Sequence, residues 1–565
     1  MAFRCIFVTM TLLWVVAEAG RSAFGDPGIF GIPAVYKQSD PPESREQPAN
    51  NVLAGFEVPP APTVEDSVVP SLDVENPANA TGSSAKASNF ESTFEIKNSP
   101  EWISARGPRA HTEMGTVHFP EDLGTIKLPE MPHREPYRPD MPPKKREVTA
   151  EFEDGLTVKT KDEYFSLTFH NLTQIDYRDF QKTGDPLVDS FVVPRQRWYV
   201  LGNVSPNVRY YTVINRGYNS LDILDSFLDL NFGLIDREKF QIRVGRTKTP
   251  YGYEYVKISE VDLIAAERSV FIGNLAPNRE EGIMAHGKLL ERSFEYAVGV
   301  FNGPRRSFED TNNSKDLFTF GNLKPFLNGD SDVMRQLNLS GSFNVGNEHN
   351  PVQPIGFRTA NDQSSGTSPS QVSPTFLQFN NNAFVNGLHM QWSGDVAYYY
   401  RNFGLLAGYQ GAIQDYGVSA TPLPANFVGV TSATTTRVPF SGYSVSAFYF
   451  LTGEEITRRA NLMEPRESFT SLRRSKGGGI GAIELFARFA NMQIGNSIFT
   501  GGLADPTKWS NSANVTDVGF NWYLNHYTKL TFDWQNSQFG SPVSISPTNS
   551  ANYNNLFWFR TQVFF

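Results

Sequence analysis

Apolar and polar side chains alternate in many short segments of this 565-residue chain, and this period constrains the fold more than any other feature. In residues 164–170, Phe165, Leu167 and Phe169 share one face, and Ser166, Thr168 and His170 share the other. Successive side chains of a β-strand point to opposite faces, so such a segment predicts a strand with one apolar and one aqueous face.

Thirteen further segments show the same pattern, and tight polar turns or long Asn/Ser/Gly/Pro loops separate them. About 415 residues at roughly 25 residues per strand and connection would give about 16 strands, within the even-numbered range of outer-membrane barrels. The segments lie near residues 190–203, 207–216, 224–232, 240–246, 294–301, 335–344, 386–400, 403–413, 440–452, 479–491, 515–523, 528–535 and 555–565.

The N-terminus predicts export. Arg4 precedes a largely apolar run at residues 6–16, and Ala17-Glu18-Ala19 forms a cleavage pattern, so we expect a signal peptide at residues 1–19. The single cysteine, Cys5, lies within it, so the exported chain would have no disulfide and no Cys-ligated metal. No later run of 18 apolar residues is present, so the exported chain is either soluble or crosses a membrane as a closed barrel.

Residues 20–148 differ in composition from the rest. The first 150 residues hold 19 of the 37 prolines, which cannot lie inside a sheet. We interpret this part as a disordered, Pro-rich periplasmic extension that precedes a barrel domain at residues 149–565. The net charge of −9 and the mean hydropathy of −0.36 exclude a helical membrane bundle and give no basic footprint for nucleic acid.

The last strand carries the most specific general signal. Phe557, Phe559, Val563 and Phe565 fall on one face of residues 556–565, and the chain ends in an aromatic residue. This ending looks like the signal read by the barrel assembly machinery of outer membranes. The alternative is an edge strand buried in a soluble sandwich.

Residues 240–303 form a strand that breaks at Gly245 and Pro250 into a charged loop and resumes at residues 294–301. This order is expected of a barrel whose loop folds into its own pore, near residues 246–281. Cations in a narrow pore attract anions and replace part of their hydration, whereas the same charges could simply pin the loop to the wall. The candidate constriction or lumen residues are Arg243, Arg246, Lys248, Glu254, Lys257, Arg268, Arg279, Glu484, Arg488 and Arg560.

No catalytic constellation is visible in the sequence. It contains neither HExxH nor GxSxG, and the eight histidines are scattered. The glycine run at residues 477–479 leads into a strand and not into a helix, so it cannot cradle a phosphate. We therefore expect no enzyme, no cofactor and no metal site.

Several ordered motifs resemble the phosphate-selective porin O and P family over about residues 150–565. The resemblance implies a 16-stranded, trimeric outer-membrane porin with an inward-folded third loop that passes anions such as phosphate. The motifs are RVGRTKTPYGYE (243–254), ERS (267–269), NREEG (278–282), GVFNG (299–303), FLTGE (450–454), GAIELFARF (481–489), NWYLN (521–525) and the terminal phenylalanine.

Our first hypothesis is a passive porin in outer-membrane lipid, with anion or small-solute specificity. The second is a structural or adhesive outer-membrane barrel whose extension anchors to the cell wall. An exported β-sheet enzyme is the third, and the lack of a nucleophile–base or metal set disfavours it.

Overall fold

The computed structural model describes residues 146–181, 189–217, 220–233, 235–305, 310–360, 373–423, 430–432, 434–470, 479–545 and 549–565. The signal peptide predicted at residues 1–19 and the extension predicted at residues 20–148 lie outside the described residues, apart from residues 146–148. Both therefore stay predictions.

Twenty strands and three short helices make up the described secondary structure. The helices are α1 (Tyr253–Lys257), α2 (Val270–Leu275) and α3 (Ser497–Thr500). The strands are β1 (Val148–Phe152), β2 (Leu156–Thr160), β3 (Ser166–Gln181), β4 (Ser190–Ser205), β5 (Val208–Gly217), β6 (Ser220–Leu230), β7 (Gln241–Lys248), β8 (Arg279–Leu289), β9 (Phe294–Phe301), β10 (Asp316–Leu323), β11 (Leu337–Asn350), β12 (Phe357–Arg358), β13 (Thr375–Leu377), β14 (Ala383–Tyr400), β15 (Phe403–Val418), β16 (Thr434–Phe450), β17 (Ala482–Ile494), β18 (Ser512–Asn525), β19 (Thr528–Ser544) and β20 (Ser550–Phe564).

Sixteen of these strands, β3–β11 and β14–β20, form a closed antiparallel barrel. Each pairs with its neighbours along the chain, β11 pairs with β14, and β20 closes the barrel on β3, with Phe564 opposite Leu172. Closure satisfies the backbone hydrogen bonds of every strand, as a sheet in lipid requires. The predicted all-β, 16-stranded barrel is confirmed. Strands β1 and β2 form a hairpin that pairs with the start of β3.

We call the end of the barrel that carries the β3–β4 and β7–β8 connections the loop end, and the end with residue 565 the turn end. At the turn end, two residues suffice to join β4 to β5, β14 to β15 and β18 to β19. The β16–β17 connection, also at the turn end, is much longer. No helix among the described residues is long and apolar enough to cross a membrane.

The two faces of the wall follow the predicted alternation. In β17, Leu485 and Phe489 point outward and are exposed, whereas Glu484, Phe486 and Arg488 point inward and are buried. Outward apolar residues suit a lipid-facing surface. The inward residues are buried because connections from both ends of the barrel fold into the lumen and pack on them.

Two apolar clusters fill much of the lumen against β14–β19. At the loop end, α2 packs with Phe357 and Phe376 of the β11–β14 connection and with Phe440 of the wall. Toward the turn end, Ile264 packs with Ile456 of the β16–β17 connection and with wall residues such as Phe448. These clusters leave less of the lumen open than the wall alone would enclose.

The sequence pattern missed two of the sixteen barrel strands, β8 and β10. Residues 279–281 are all charged, so they looked like part of the loop. In the structure, Arg279 of β8 pairs with Asp225 of β6 (3.0 Å), and Arg246 of β7 pairs with Glu281 of β8 (2.7 Å). The loop predicted near residues 246–281 is therefore shorter in the structure, where β7 ends at Lys248 and β8 begins at Arg279.

Candidate pore constriction

Residues 249–278, which we call the inner loop, join β7 to β8 and cross the lumen. Pro250 has no N–H for the ladder, so β7 ends before it. Gly252 follows with a φ of 67°, in the left-handed region that favours glycine. The backbone N–H of Thr249 donates to the carbonyl of Asn278 (2.9 Å) and closes the base of the loop. The body of the loop then reaches strands on the far side of the barrel.

Glu267 of the inner loop is held by three arginines from three wall strands, two of which bind its carboxylate and one its backbone carbonyl. Arg195 of β4 donates to both Glu267 oxygens (2.9 and 2.5 Å), and Arg560 of β20 donates to one of them (2.8 Å). Arg488 of β17 donates to the Glu267 carbonyl (2.7 Å). Paired carboxylate–guanidinium contacts fix geometry strongly, so this point of the loop is firmly anchored.

Asp262 provides a second anchor, which joins the inner loop to the β16–β17 connection. Arg459 of that connection donates to Asp262 (3.2 Å) and to Glu484 on the wall (3.0 Å). The Tyr523 hydroxyl also donates to Asp262 (2.7 Å). All of these side chains are buried. Two inward connections, one from each end of the barrel, thus meet at a single ion-pair network.

Glu254 and Arg268 hold the inner loop together from within. Glu254 accepts hydrogen bonds from the backbone N–H (2.9 Å) and hydroxyl (2.5 Å) of Ser269, and Arg488 lies 3.7 Å from it. Arg268 donates to the carbonyls of Glu254 and Ile258. Both residues therefore set the shape of the loop and do not project into open space.

Glu260 is surrounded by cations from the loop and the wall. Its nearest partner is Lys248 (2.8 Å), and three guanidiniums lie within 4 Å of it, those of Arg268, Arg279 and Arg197. Burial raises the pKa of the Glu260 carboxyl, but these four positive charges outweigh burial and hold the pKa well below its usual range.

Two cavities lie between the inner loop and the opposite wall, β4–β10. The first has a volume of about 330 Å³ and the second about 380 Å³. They share Arg243, Lys248, Val256 and Lys257 in their linings. Six cationic side chains face three carboxylates around the first cavity, so its lining is positive on balance. The cations are Arg197, Arg209, Arg243, Lys248, Lys257 and Arg279.

Some lining cations are paired, whereas others are not. Arg243 binds Asp229 through two hydrogen bonds of 2.8 Å, and Lys257 contacts Glu295. Arg209 in the first cavity and Lys288 in the second make no ion pair within the described part of the chain, and both are exposed. Unpaired cations keep most of their field available to a solute.

A group of like charges, Lys257, Lys288, Lys324 and Arg458, lies at the turn-end side of the second cavity, and we call it the basic rim. Burial and the positive charges of Lys288 and Arg458 lower the pKa of Lys324. Lys324 follows β10 directly, and Arg458 belongs to the β16–β17 connection. The basic rim therefore produces a positive potential where the second cavity approaches the turn end.

The predicted site residues separate into two groups. Arg243, Lys248, Lys257 and Arg279 line the cavities, whereas Arg246 pairs with Glu281 and lines neither. The remaining predicted residues hold the inner loop or the network around it: Glu254, Arg268, Glu484, Arg488 and Arg560.

Sequence analysis missed several residues of this region. The alternation of residues 207–216 places Arg209 on the other face of the strand from Val208 and Tyr210. Its position on the lumen side could therefore have been predicted from the sequence. Lys288 lies in β8, which was not recognised as a strand. Arg459 lies in a polar connection, and nothing in the local sequence indicates that it enters the lumen.

Comparisons with known proteins give one family and a set of solved structures. The family model "Phosphate-selective porin O and P" matches residues 170–539. No curated protein matches the chain.

The solved structures that resemble the chain are outer-membrane proteins of low sequence identity. They include OmpT of Vibrio cholerae (9% identity, 72% of this chain and 99% of that chain, TM-score 0.40). They also include an anion-selective porin from Comamonas acidovorans (11%, 71% and 100%, 0.40) and Salmonella typhi OmpF in complex with daunomycin (12%, 74% and 100%, 0.40).

Proposed function

The chain belongs to the phosphate-selective porin O and P family and is an outer-membrane porin, and on this basis we propose that it passes small anions, phosphate among them. The family and the fold are those of channels and not of enzymes. The proposed path runs through the two cavities beside the inner loop, and the inner loop is the proposed constriction.

The positive lining of the first cavity is the observation that carries this proposal. An anion that enters a narrow passage loses part of its hydration, and fixed cations compensate for that loss. Arg209 and Lys288 supply charge that no carboxylate of the described residues neutralises, and the other members of the basic rim add to it. A cation would meet unfavourable potential along the same path.

Carboxylates beside the cations reduce the preference of the path for anions. Asp225 and Asp229 each pair with a lining arginine, so Arg279 and Arg243 are partly neutralised. We therefore propose a moderate preference for anions, with phosphate as one of several permeant species. A pathway saturated with unpaired arginines would bind its anion more tightly and release it more slowly.

The location of the N-terminal extension, the oligomeric state and the route of assembly are also proposals. We expect the N-terminal extension in the periplasm, where it could contact the cell wall. We also expect three copies of the chain to associate, as the family resemblance implies. The assembly machinery would recognise the terminal strand with Phe557, Phe559, Val563 and Phe565.

A structural or adhesive barrel is the alternative function, and the packed lumen favours it. The apolar clusters on the β14–β19 side show that the barrel is partly filled by its own connections. If the remaining cavities do not join into a continuous path, the barrel would conduct nothing.

Single-channel recording separates the two functions. Purified full-length protein is inserted into planar bilayers in potassium chloride, and inorganic phosphate is then added. The proposal predicts stepwise channels whose chloride current falls as phosphate competes for the lining cations. Channels whose chloride current is indifferent to phosphate would contradict the phosphate part of the proposal. Insertion without any channels would favour the adhesive barrel.

A further inference from the structure

Three side chains of types that bind metals meet at the lumen side of three adjacent barrel strands, β10, β11 and β14. Asp316 begins β10, Glu348 lies near the loop end of β11, and His389 lies on β14. Each offers one ligand atom, and the three atoms lie within 4.8 Å of one another. All three residues are buried, with exposed fractions of 0%, 6% and 4%.

Within the described residues, neither oxygen of the Asp316 carboxylate has a hydrogen-bond partner, although the side chain is fully buried. A buried carboxylate without partners is costly and points to a missing cation. The backbone leaves room for it: a Cβ on Gly346 would lie 1.4 Å from Asp316 Oδ1. Gly346 sits between Asn344 and Glu348 on the same face of β11, so a glycine there allows the carboxylate to enter the cluster.

Asn344 supplies a second unsatisfied oxygen. Its amide nitrogen lies 3.3 Å from His389 Nε2, and its buried Oδ1 has no partner in the part of the chain that the structure describes. Rotation of the amide by 180° would turn the oxygen toward His389 and the cluster, an exchange that needs no backbone movement. A fourth ligand is therefore within reach.

The charges around the cluster do not balance. Among the described residues of the cluster, Glu348 is the carboxylate that has a basic partner, because His389 contacts it. Glu280 is fully buried nearby, and only one of its oxygens accepts a hydrogen bond, from the Gly303 N–H (2.9 Å). Two cations of the described part of the β9–β10 connection have other partners: Lys315 pairs with Asp310, and Arg305 donates to carbonyls of the inner loop. Among the residues that the structure describes here, Asp316 and Glu280 have no ion-pair partner.

We propose that Asp316, Glu348 and His389 bind one divalent transition-metal ion, with the Asn344 amide oxygen as an additional ligand. Carboxylate oxygen combined with imidazole nitrogen suits Zn²⁺ or Mn²⁺. Tetrahedral zinc ligands at about 2.0–2.2 Å from the ion lie roughly 3.3 Å apart, so shifts of about 1 Å in the side chains complete the site. The ion links β10, β11 and β14 and neutralises the buried carboxylates.

This site is separate from the proposed anion path. None of its ligands lines either cavity. It does brace the wall that holds the inner loop, because Gln391, two residues after His389, donates to the Leu275 carbonyl (2.9 Å). The metal site does not depend on the anion function, and either can fail without the other.

Sequence spacing gave no sign of this site, and no metal was expected. Its three ligands come from three different strands, 32 and 41 residues apart along the chain, and no short motif spans them. Only the register of β10, β11 and β14 brings them together.

Metal analysis of the full-length protein tests the site. Protein extracted from outer membranes is treated with EDTA, incubated with Zn²⁺, dialysed and analysed by mass spectrometry. We expect one zinc ion per chain, and at least a tenfold loss of affinity in both Asp316→Asn and His389→Gln. His349→Gln is the matched control, because this neighbouring histidine hydrogen-bonds Asn386 and lies outside the cluster; it should keep its zinc.

Heat-modifiable electrophoretic mobility shows that each variant is folded. If a variant does not fold, the wild-type protein loaded with Co²⁺ provides the test, because bound cobalt in a site with nitrogen and oxygen ligands gives visible absorption that Zn²⁺ abolishes. The proposal is overturned if folded wild-type protein binds no stoichiometric zinc or cobalt, or if folded Asp316→Asn and His389→Gln bind zinc like the wild type. Such a result would mean that protonation of the carboxylates, and not a metal ion, neutralises the cluster.

Discussion

Arg560 on the last strand donates a 2.8 Å hydrogen bond to Glu267 in the inner loop, although the two residues are 293 positions apart. The same guanidinium binds Asp176 on β3, so it joins the seam where the barrel closes to the loop that narrows it. Arg195 completes the arrangement from β4. Closure of the barrel and placement of the inner loop thus depend on the same buried charges.

Glu267→Gln should destabilise the inner loop. The substitution leaves Arg195 and Arg560 without their shared carboxylate, and removal of one partner from a buried ion pair costs about 3–5 kcal/mol. We expect a lower free energy of unfolding in urea, followed by tryptophan fluorescence, and noisier single-channel current. The control is Glu291→Gln, in the exposed turn between β8 and β9. Equal stability of the Glu267→Gln variant and the wild type would show that Glu267 is not an anchor.

The double variant Arg209→Ala and Lys288→Ala should lose part of its anion preference. A unit charge about 8 Å from the path changes the energy of a monovalent ion by roughly 0.5 kcal/mol in water, and salt screening about halves this. The effect has opposite signs for an anion and a cation, so their permeability ratio changes about twofold per residue. The anion-to-cation permeability ratio should therefore fall about fourfold in planar bilayers. Lys161→Ala, at an exposed position after β2, serves as the control and should leave the ratio unchanged. An unaltered ratio in the double variant would remove these cations from the path.

Acid should release the inner loop only at low pH. The folded pKa of Glu260 lies below its unfolded value, so its contribution to stability is complete above the unfolded value of about 4.3 and is lost as pH falls through the folded pKa. Wild-type stability toward urea should exceed that of Glu260→Gln at pH 7, and the difference should shrink below about pH 4. A difference that stays constant down to pH 2 would contradict this linkage.

Removal of residues 20–148 should leave the pore intact. Within the described residues, the inner loop is held by contacts with the barrel wall and the β16–β17 connection, so conductance and heat-modifiable mobility should both match those of the full chain. Binding of the protein to isolated cell wall should fall if the extension is the anchor. Loss of conductance after the deletion would mean that the extension takes part in the channel.

Sequence patterns identified the barrel because lipid and water impose a local rule. In β17, each residue's face follows from its parity alone, so Glu484 and Leu485 could be assigned correctly without a structure. The same rule failed for β8, because residues 279–281 at its start are all charged and show no alternation. One of them, Glu281, pairs with Arg246 of the neighbouring strand β7.

The site was less predictable because its contacts are distant in sequence. The stretch around residues 243–281 was predicted to supply a constriction, and Arg243, Lys248, Lys257 and Arg279 of this stretch line the cavities. Which charges face a cavity and which anchor the loop depends on partners far along the chain, such as Arg459 for Asp262. No local spacing encodes those pairings.

The reversal potential of the wild-type channel in a potassium chloride gradient tests the central claim most directly. Full-length protein in a planar bilayer is exposed to a tenfold gradient, and the zero-current voltage is measured. A positive lining around the inner loop predicts a reversal potential displaced toward the equilibrium potential of chloride. A displacement toward the equilibrium potential of potassium would contradict the account, because the path would then favour cations.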